Sequence, residues 1–184
     1  MKRKNILIVL TALAIGFLIY VVVSNLTGFP AFNKKSVLTY APVEEGMVGQ
    51  LIPSFDILLP DSVTYVNVQS TSEGMSTVLF YFGPECPYCQ QQMKEIIKGM
   101  GDFNGVQFYI LTLYPLKDIV DFYREFKLDK YPNIKVGTDY KYFFGQYFKT
   151  QSFPFLAVYG KNKKLKGAYM GVLPIDQLRN VVLE

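Results

Sequence analysis

"STVLFYFGPECPYCQQQMKEI", residues 76–96, decides the fold. After Ser76 and Thr77 it runs on as a continuous apolar stretch rich in aromatics, Val78 to Phe82, the composition of a strand buried on both faces. Gly83-Pro84-Glu85 ends that run as a turn. From Cys86 to about Met100 the apolar residues Met93, Ile96, Ile97 and Met100 recur at helical spacing. A strand therefore leads through a turn into a helix that opens on Cys86, with Cys89 one turn along. The free N–H groups and dipole at that end of a helix favour an anion. The thiolate is the reactive form of cysteine, and Pro87 removes an amide that would lack a partner in the first turn.

These are the only two cysteines among 184 residues, and the chain has no histidine. The absence of histidine removes Cys-His and Ser-His nucleophilic catalysis and the common His-based zinc sites. A structural zinc site would need carboxylates or a second chain to complete four ligands. Two inert buried thiols fit poorly with a polar strand-to-helix corner. A static disulfide would close too short a loop to stabilise much. A redox dithiol is the reading that all of the local context supports, and no metal or other cofactor is expected.

Further along the chain, "SFDILL" (54–59) and "TYVNVQ" (64–69) read as a hairpin turning at Pro60-Asp61-Ser62. "GVQFYILTL" (105–113) reads as a second buried strand, and a helix is expected from Pro115 to about Lys127. "NIKVG" (133–137) suits a short strand and "DYKYFFGQYF" (139–148) a short helix, the latter also a candidate docking surface. "FLAVYG" (155–160) and "KLKGAYM" (164–170) pair as a hairpin, and residues 174–184 close as an amphipathic helix. Strands alternating with helices, then a hairpin and a last helix, predict an α/β fold with a mixed sheet flanked by helices. With half of its residues hydrophobic, the chain can bury a core without disulfide staples.

The N-terminus carries Lys2, Arg3 and Lys4 ahead of an apolar run from Ile6 to Val23. As a helix that run would reach about 27 Å, close to the ~30 Å hydrocarbon core of a bilayer. Residues 1–25 are expected to be a retained transmembrane anchor or an uncleaved signal, with the N-terminus cytoplasmic. Residues 26–47 then form a juxtamembrane linker, and residues 48–184 a folded domain on the periplasmic or extracellular face. Without the three basic residues, sixteen Lys and Arg face fifteen Asp and Glu. That balance shows no basic face for a nucleic-acid partner.

From residue 48 onward the sequence resembles the thioredoxin-like superfamily, nearest to membrane-anchored thiol-disulfide oxidoreductases of the TlpA/ResA type. The carriers are "STVLFYFGPECPYC", "SFPFLAVYGKNKKLKGAYMG" and the closing helix. The resemblance implies a thioredoxin-like fold with Cys86 and Cys89 as the catalytic dithiol. It also implies a cis Pro154 facing them, which with Phe153 holds the substrate. Glu85, Pro87 and Tyr88 are the candidate tuning residues. Implied partners are protein dithiols and disulfides, with an upstream membrane electron donor. The implied activity is reduction of protein disulfides, as in cytochrome c maturation; a disulfide oxidase or isomerase, and a non-catalytic membrane-tethered binding domain, are the rivals. Three departures stand out. Phe80 occupies the place of the buried acid of thioredoxins. Tyr88 stands where oxidant relatives often carry histidine. Gly83 and Leu79 stand where peroxiredoxins need Thr or Ser and Pro.

Overall fold

In the computed structural model, residues 13–18, 20, 45–69 and 74–184 are described. Two compact units divide at Met1–Leu38 and Thr39–Glu184. Of the first unit, residues 13–18 and 20 are helical, with Leu13, Ile15, Phe17, Leu18 and Tyr20 exposed. The rest of the expected anchor, and of the linker all but residues 45–47, lies outside the described residues. Among the described residues, no helix is long and apolar enough to cross a membrane.

The second unit is built on one seven-stranded sheet of order β2-β1-β5-β4-β3-β6-β7. Its strands are β1 (Asp56–Leu58), β2 (Tyr65–Asn67), β3 (Ser76–Tyr81), β4 (Val106–Thr112), β5 (Ile134–Thr138), β6 (Phe155–Tyr159) and β7 (Leu165–Met170). Central strands β3, β4 and β5 are parallel. β6 pairs antiparallel with β3, β7 with β6, and the β1–β2 hairpin joins β5 at Leu58↔Thr138. The mixed sheet is as expected. The first hairpin is shorter than expected at both ends, and at its turn the Asp61 carboxylate accepts from the Val63 and Thr64 amides.

Alternation along β3 sends side chains to two cores. Val78, Phe80 and Phe82 enter one, and Leu79 and Tyr81 the other. The first core is roofed by α1 (Pro87–Lys98), α2 (Leu116–Glu125) and α4 (Ile175–Leu183), through residues such as Met93, Ile96, Ile119, Phe122, Leu178 and Val182. The second holds the short α3 (Phe143–Tyr147) and the 52–57 segment, through Phe144, Phe148, Ile52, Phe55 and Ile57. "DYKYFFGQYF" is thus mostly core: Phe144 and Phe148 are buried, while Tyr140 stays exposed. Asp139 explains why that helix starts four residues late. It is buried and accepts from the Phe143 and Phe144 amides at 3.0 and 2.7 Å, satisfying free N–H groups of the first turn.

Residues 49–52 strap the start of β7. The Gly49 amide donates to Leu165 O, the Leu165 amide to Gln50 O, and the Ile52 amide to Lys163 O, each at 2.8 Å. The β1–β5 contact is close at Gly137, where an added Cβ would sit 2.9 Å from the Leu58 carbonyl oxygen. Backbone cannot swing aside as a side chain can. Gly137→Ala is therefore expected to destabilise the fold by about 1–3 kcal/mol, read as a lower urea midpoint at unchanged slope.

Candidate redox site

The two cysteines sit where β3 hands over to α1, and the helix begins one residue later than the periodicity suggested. Cys86 is its N-cap, with φ −75° and ψ 116°, and Pro87 is the first helical residue. The Cys86 amide donates back to Gly83 O at 3.1 Å, and its carbonyl accepts from the Gln90 amide at 3.0 Å. These bonds fix the turn and the first helical hydrogen bond on either side of the thiol. Both thiols are free; Cys86 is half-buried and Cys89 is buried. Burial is the main force pushing the Cys89 thiol well above its ordinary pKa. Its hydrogen bond to Cys86 adds to the shift, and a backbone hydrogen bond from Gly83 works the other way. The pair is thus asymmetric, with one sulfur presented to solvent and one held as a thiol behind it.

The opposite wall comes from β6. Tyr81 pairs with Phe155 at the end of the β3–β6 ladder, so continuing the register sets Gly83 against Phe153. The contact bears this out: a Cβ on Gly83 would lie 3.4 Å from the Phe153 ring and 3.5 Å from Cys86 Cβ. A Cβ there would make ordinary van der Waals contact with both, so the Phe153 ring packs directly over the cysteine corner. The Phe153–Pro154 peptide bond is cis, and Pro154 is buried with its carbonyl accepting from the Gly171 amide at 2.8 Å. Phe153 is half-buried, its ring 4.9 Å from Tyr81 and 6.1 Å from Tyr114. Among the described residues, none is hydrogen-bonded to the Phe153 backbone.

The remaining candidates sit on the rim. Glu85 and Pro87 are exposed, Tyr88 is 65% exposed, and Glu85 makes no ion pair with a described residue. Beneath the site Phe80 is fully buried, 5.9 Å from Phe82 and in the same core as Cys89. Asp139 is the one buried carboxylate among the described residues, and it is committed to the α3 amides. Sequence reading missed Gly83, Tyr114 and Gln92. Gly83 was legible only as a turn residue, and nothing local marked the other two. A lysine-rich cleft of about 490 Å³ lies at the far end of α1, lined by Lys94, Lys98, Lys127 and Lys130. Lys98 there complements the negative end of the helix dipole. No described group of three or more Cys, Asp or Glu could hold a metal ion.

No family model and no curated protein matches the sequence, but solved structures do. StoA from Bacillus subtilis is 14% identical with a TM-score of 0.56, over 70% of this chain and 96% of that one. A secreted disulfide oxidoreductase from Mycobacterium tuberculosis, homologous to E. coli DsbE, is 14% identical at 0.59, over 70% and 93%. The thioredoxin domain of a Bacteroides vulgatus thiol-disulfide oxidoreductase is 16% identical at 0.60, over 73% and 94%. The fold is thioredoxin-like. Within it, the strand-to-helix corner bearing Cys86 faces the turn bearing Pro154, and the β1–β2 hairpin extends the sheet beyond β5.

This asymmetry has a direct chemical readout. In the reduced protein at pH 7–8, iodoacetamide should label Cys86 and largely spare Cys89, because each unit by which a thiol pKa rises lowers its thiolate fraction about tenfold. Labelling of Cys89 should become appreciable only as pH climbs well above that range. Peptide mapping by mass spectrometry checks this, and equal labelling of the two sulfurs at pH 7 would contradict the asymmetry.

Proposed function

We propose that this chain is a TlpA/ResA-type thiol-disulfide oxidoreductase that reduces protein disulfides outside the cytoplasm. The observation that carries the reading is the half-buried Cys86 at a helix N-terminus, backed by buried Cys89 and faced by the Phe153 backbone, which bonds to none of the described residues. The names of the structural neighbours, among them a secreted disulfide oxidoreductase, are consistent with it.

In this mechanism the Cys86 thiolate attacks one sulfur of a substrate disulfide. A Cys86–substrate S–S bond forms, the substrate S–S bond breaks, and the released sulfur leaves as a thiolate that takes up a proton. Cys89 then loses its proton and attacks the Cys86 sulfur, expelling the second substrate thiolate. The substrate gains two electrons and becomes a dithiol, and Cys86 and Cys89 become a disulfide. A dithiol protein on the membrane restores the pair by the reverse exchange. The Phe153 amide and carbonyl pair with the extended substrate chain beside Pro154.

The tuning residues act locally. Pro87 starts the helix without an amide to satisfy, Tyr88 adds no positive charge beside the thiols, and Glu85 places a carboxylate next to Cys86. Lacking a positive charge at position 88, the thiolate loses one stabiliser, which tilts the couple toward the reductant side. Residues 1–25 anchor the domain with its N-terminus inside, residues 26–47 tether it, and residues 48–184 act on the outer face. Reduction of apocytochrome c is the narrower form of this activity.

Wild-type protein should catalyse insulin reduction by dithiothreitol, and Cys86→Ser should abolish it. Cys89→Ser should accumulate partner proteins as adducts that dithiothreitol releases. The couple is expected nearer the roughly −270 mV of thioredoxin than the roughly −120 mV of DsbA, measured by glutathione equilibration. A value at the oxidising end reverses the assigned direction. Absence of both adducts and insulin reduction would leave a binding module.

A further inference from the structure

We infer that residues 171–173, which follow β7, form a buckle holding the cysteine helix and the Phe153–Pro154 turn in one fixed relation, with Gln92 as its positioning residue. The functional side of this inference rests on the exchange activity proposed above. Gln92 lies on α1 three residues after Cys89 and is fully buried. Both of its polar atoms are spent on the backbone of Leu173. Oε1 accepts from the Leu173 amide at 2.6 Å, and Nε2 donates to the Leu173 carbonyl at 3.2 Å. Two residues earlier, the Gly171 amide donates to the Pro154 carbonyl at 2.8 Å. Gly171 has φ +89°, which a side chain would strain. One short loop therefore grips the helix that carries the thiols with one residue and the turn that faces them with another.

Packing alone does not call for glutamine at this position. The other buried residues of α1 are Cys89, Met93 and Ile96, and an apolar residue in place of Gln92 would avoid burying an amide at all. A glutamine bonded at both ends adds direction: it fixes α1 along its axis and in rotation relative to Leu173. Small errors in that relation matter, because a displacement of about 1 Å between reacting groups can cost on the order of a hundredfold in rate. The rival account is that Gln92 merely satisfies the amide and carbonyl of Leu173. That role would lower stability when lost but would not separate one reagent from another.

The test compares two reagents on the wild type and on Gln92→Met. Iodoacetamide meets Cys86 without engaging the Pro154 turn, whereas a short peptide disulfide must lie against both. The peptide disulfide reaction of folded Gln92→Met should slow by about tenfold or more, with alkylation of Cys86 nearly unchanged. The Gly171 amide should also lose hydrogen-exchange protection while Ile110 in β4 keeps it. Unchanged rates, or equal proportional losses with both reagents, overturn the positioning role. If the wild type is alkylated yet reacts with no peptide disulfide, the exchange reading falls. Gly171 exchange then decides the buckle, with lost protection supporting it and retained protection overturning it. Should Gln92→Met fail to fold, Gln92→Asn, one methylene shorter, takes the same measurements and the same criteria.

Discussion

The antiparallel ladder between β3 and β6, from Thr77↔Tyr159 to Tyr81↔Phe155, is what the cysteine corner of this protein depends on. β3 delivers Gly83 and the cysteine corner at its C-terminal end, and β6 begins with the Phe153–Pro154 turn. Because the strands run in opposite directions, those two ends coincide. A slip of one residue would turn every side chain of β6 to the wrong face. Both faces are buried, so the register is held from two sides: Leu156 and Val158 pack under the helices, and Phe155, Ala157 and Tyr159 pack toward α3. The precision of the site is thus inherited from the core.

That core also determines what surrounds the buried thiol. Phe80 and Phe82 fill the space below α1, and neither side chain can accept or relay a proton. Asp139, the buried carboxylate among the described residues, stands after β5 with both oxygens already engaged. No buried carboxylate among the described residues is therefore free to take a proton from Cys89, and the side-chain partner of that thiol is the Cys86 sulfur. The aromatic filling gains packing at the expense of a built-in base. Burying a Phe side chain contributes about 1.5–3 kcal/mol, and a buried carboxylate in the same place would need hydrogen bonds to be tolerated.

Much of this was legible in the sequence because the deciding signals are local. "STVLFYF" has the composition of a two-sided strand, the spacing of Met93, Ile96 and Ile97 has the period of a helix, and Cys-Pro-Tyr-Cys lies where they meet. The cis bond before Pro154 was an implication of family resemblance, since nothing in "QSFPF" separates cis from trans. The rest was hidden because its partners are distant in sequence. Gln92 looks like one of three surface glutamines in "QQQ" until Leu173 is placed beside it. Asp139 looks like an ordinary turn residue until the Phe143 and Phe144 amides converge on it. The strap at residues 49–52 has no strand-like alternation, and only the start of β7 gives it a partner.

That strap determines where the chain enters the domain. Leu165 pairs with Tyr159, which in turn pairs with Thr77 at the start of β3. Gly49, Gln50 and Ile52 therefore fasten to the end of the sheet away from Gly83. A strand of this length spans about 20 Å. Tension applied to the chain ahead of Gly49 would be taken up by three backbone hydrogen bonds at the rear of the sheet, leaving the cysteine corner free of load. The chain's entry into the domain and the cysteine corner thus lie at opposite ends of one sheet.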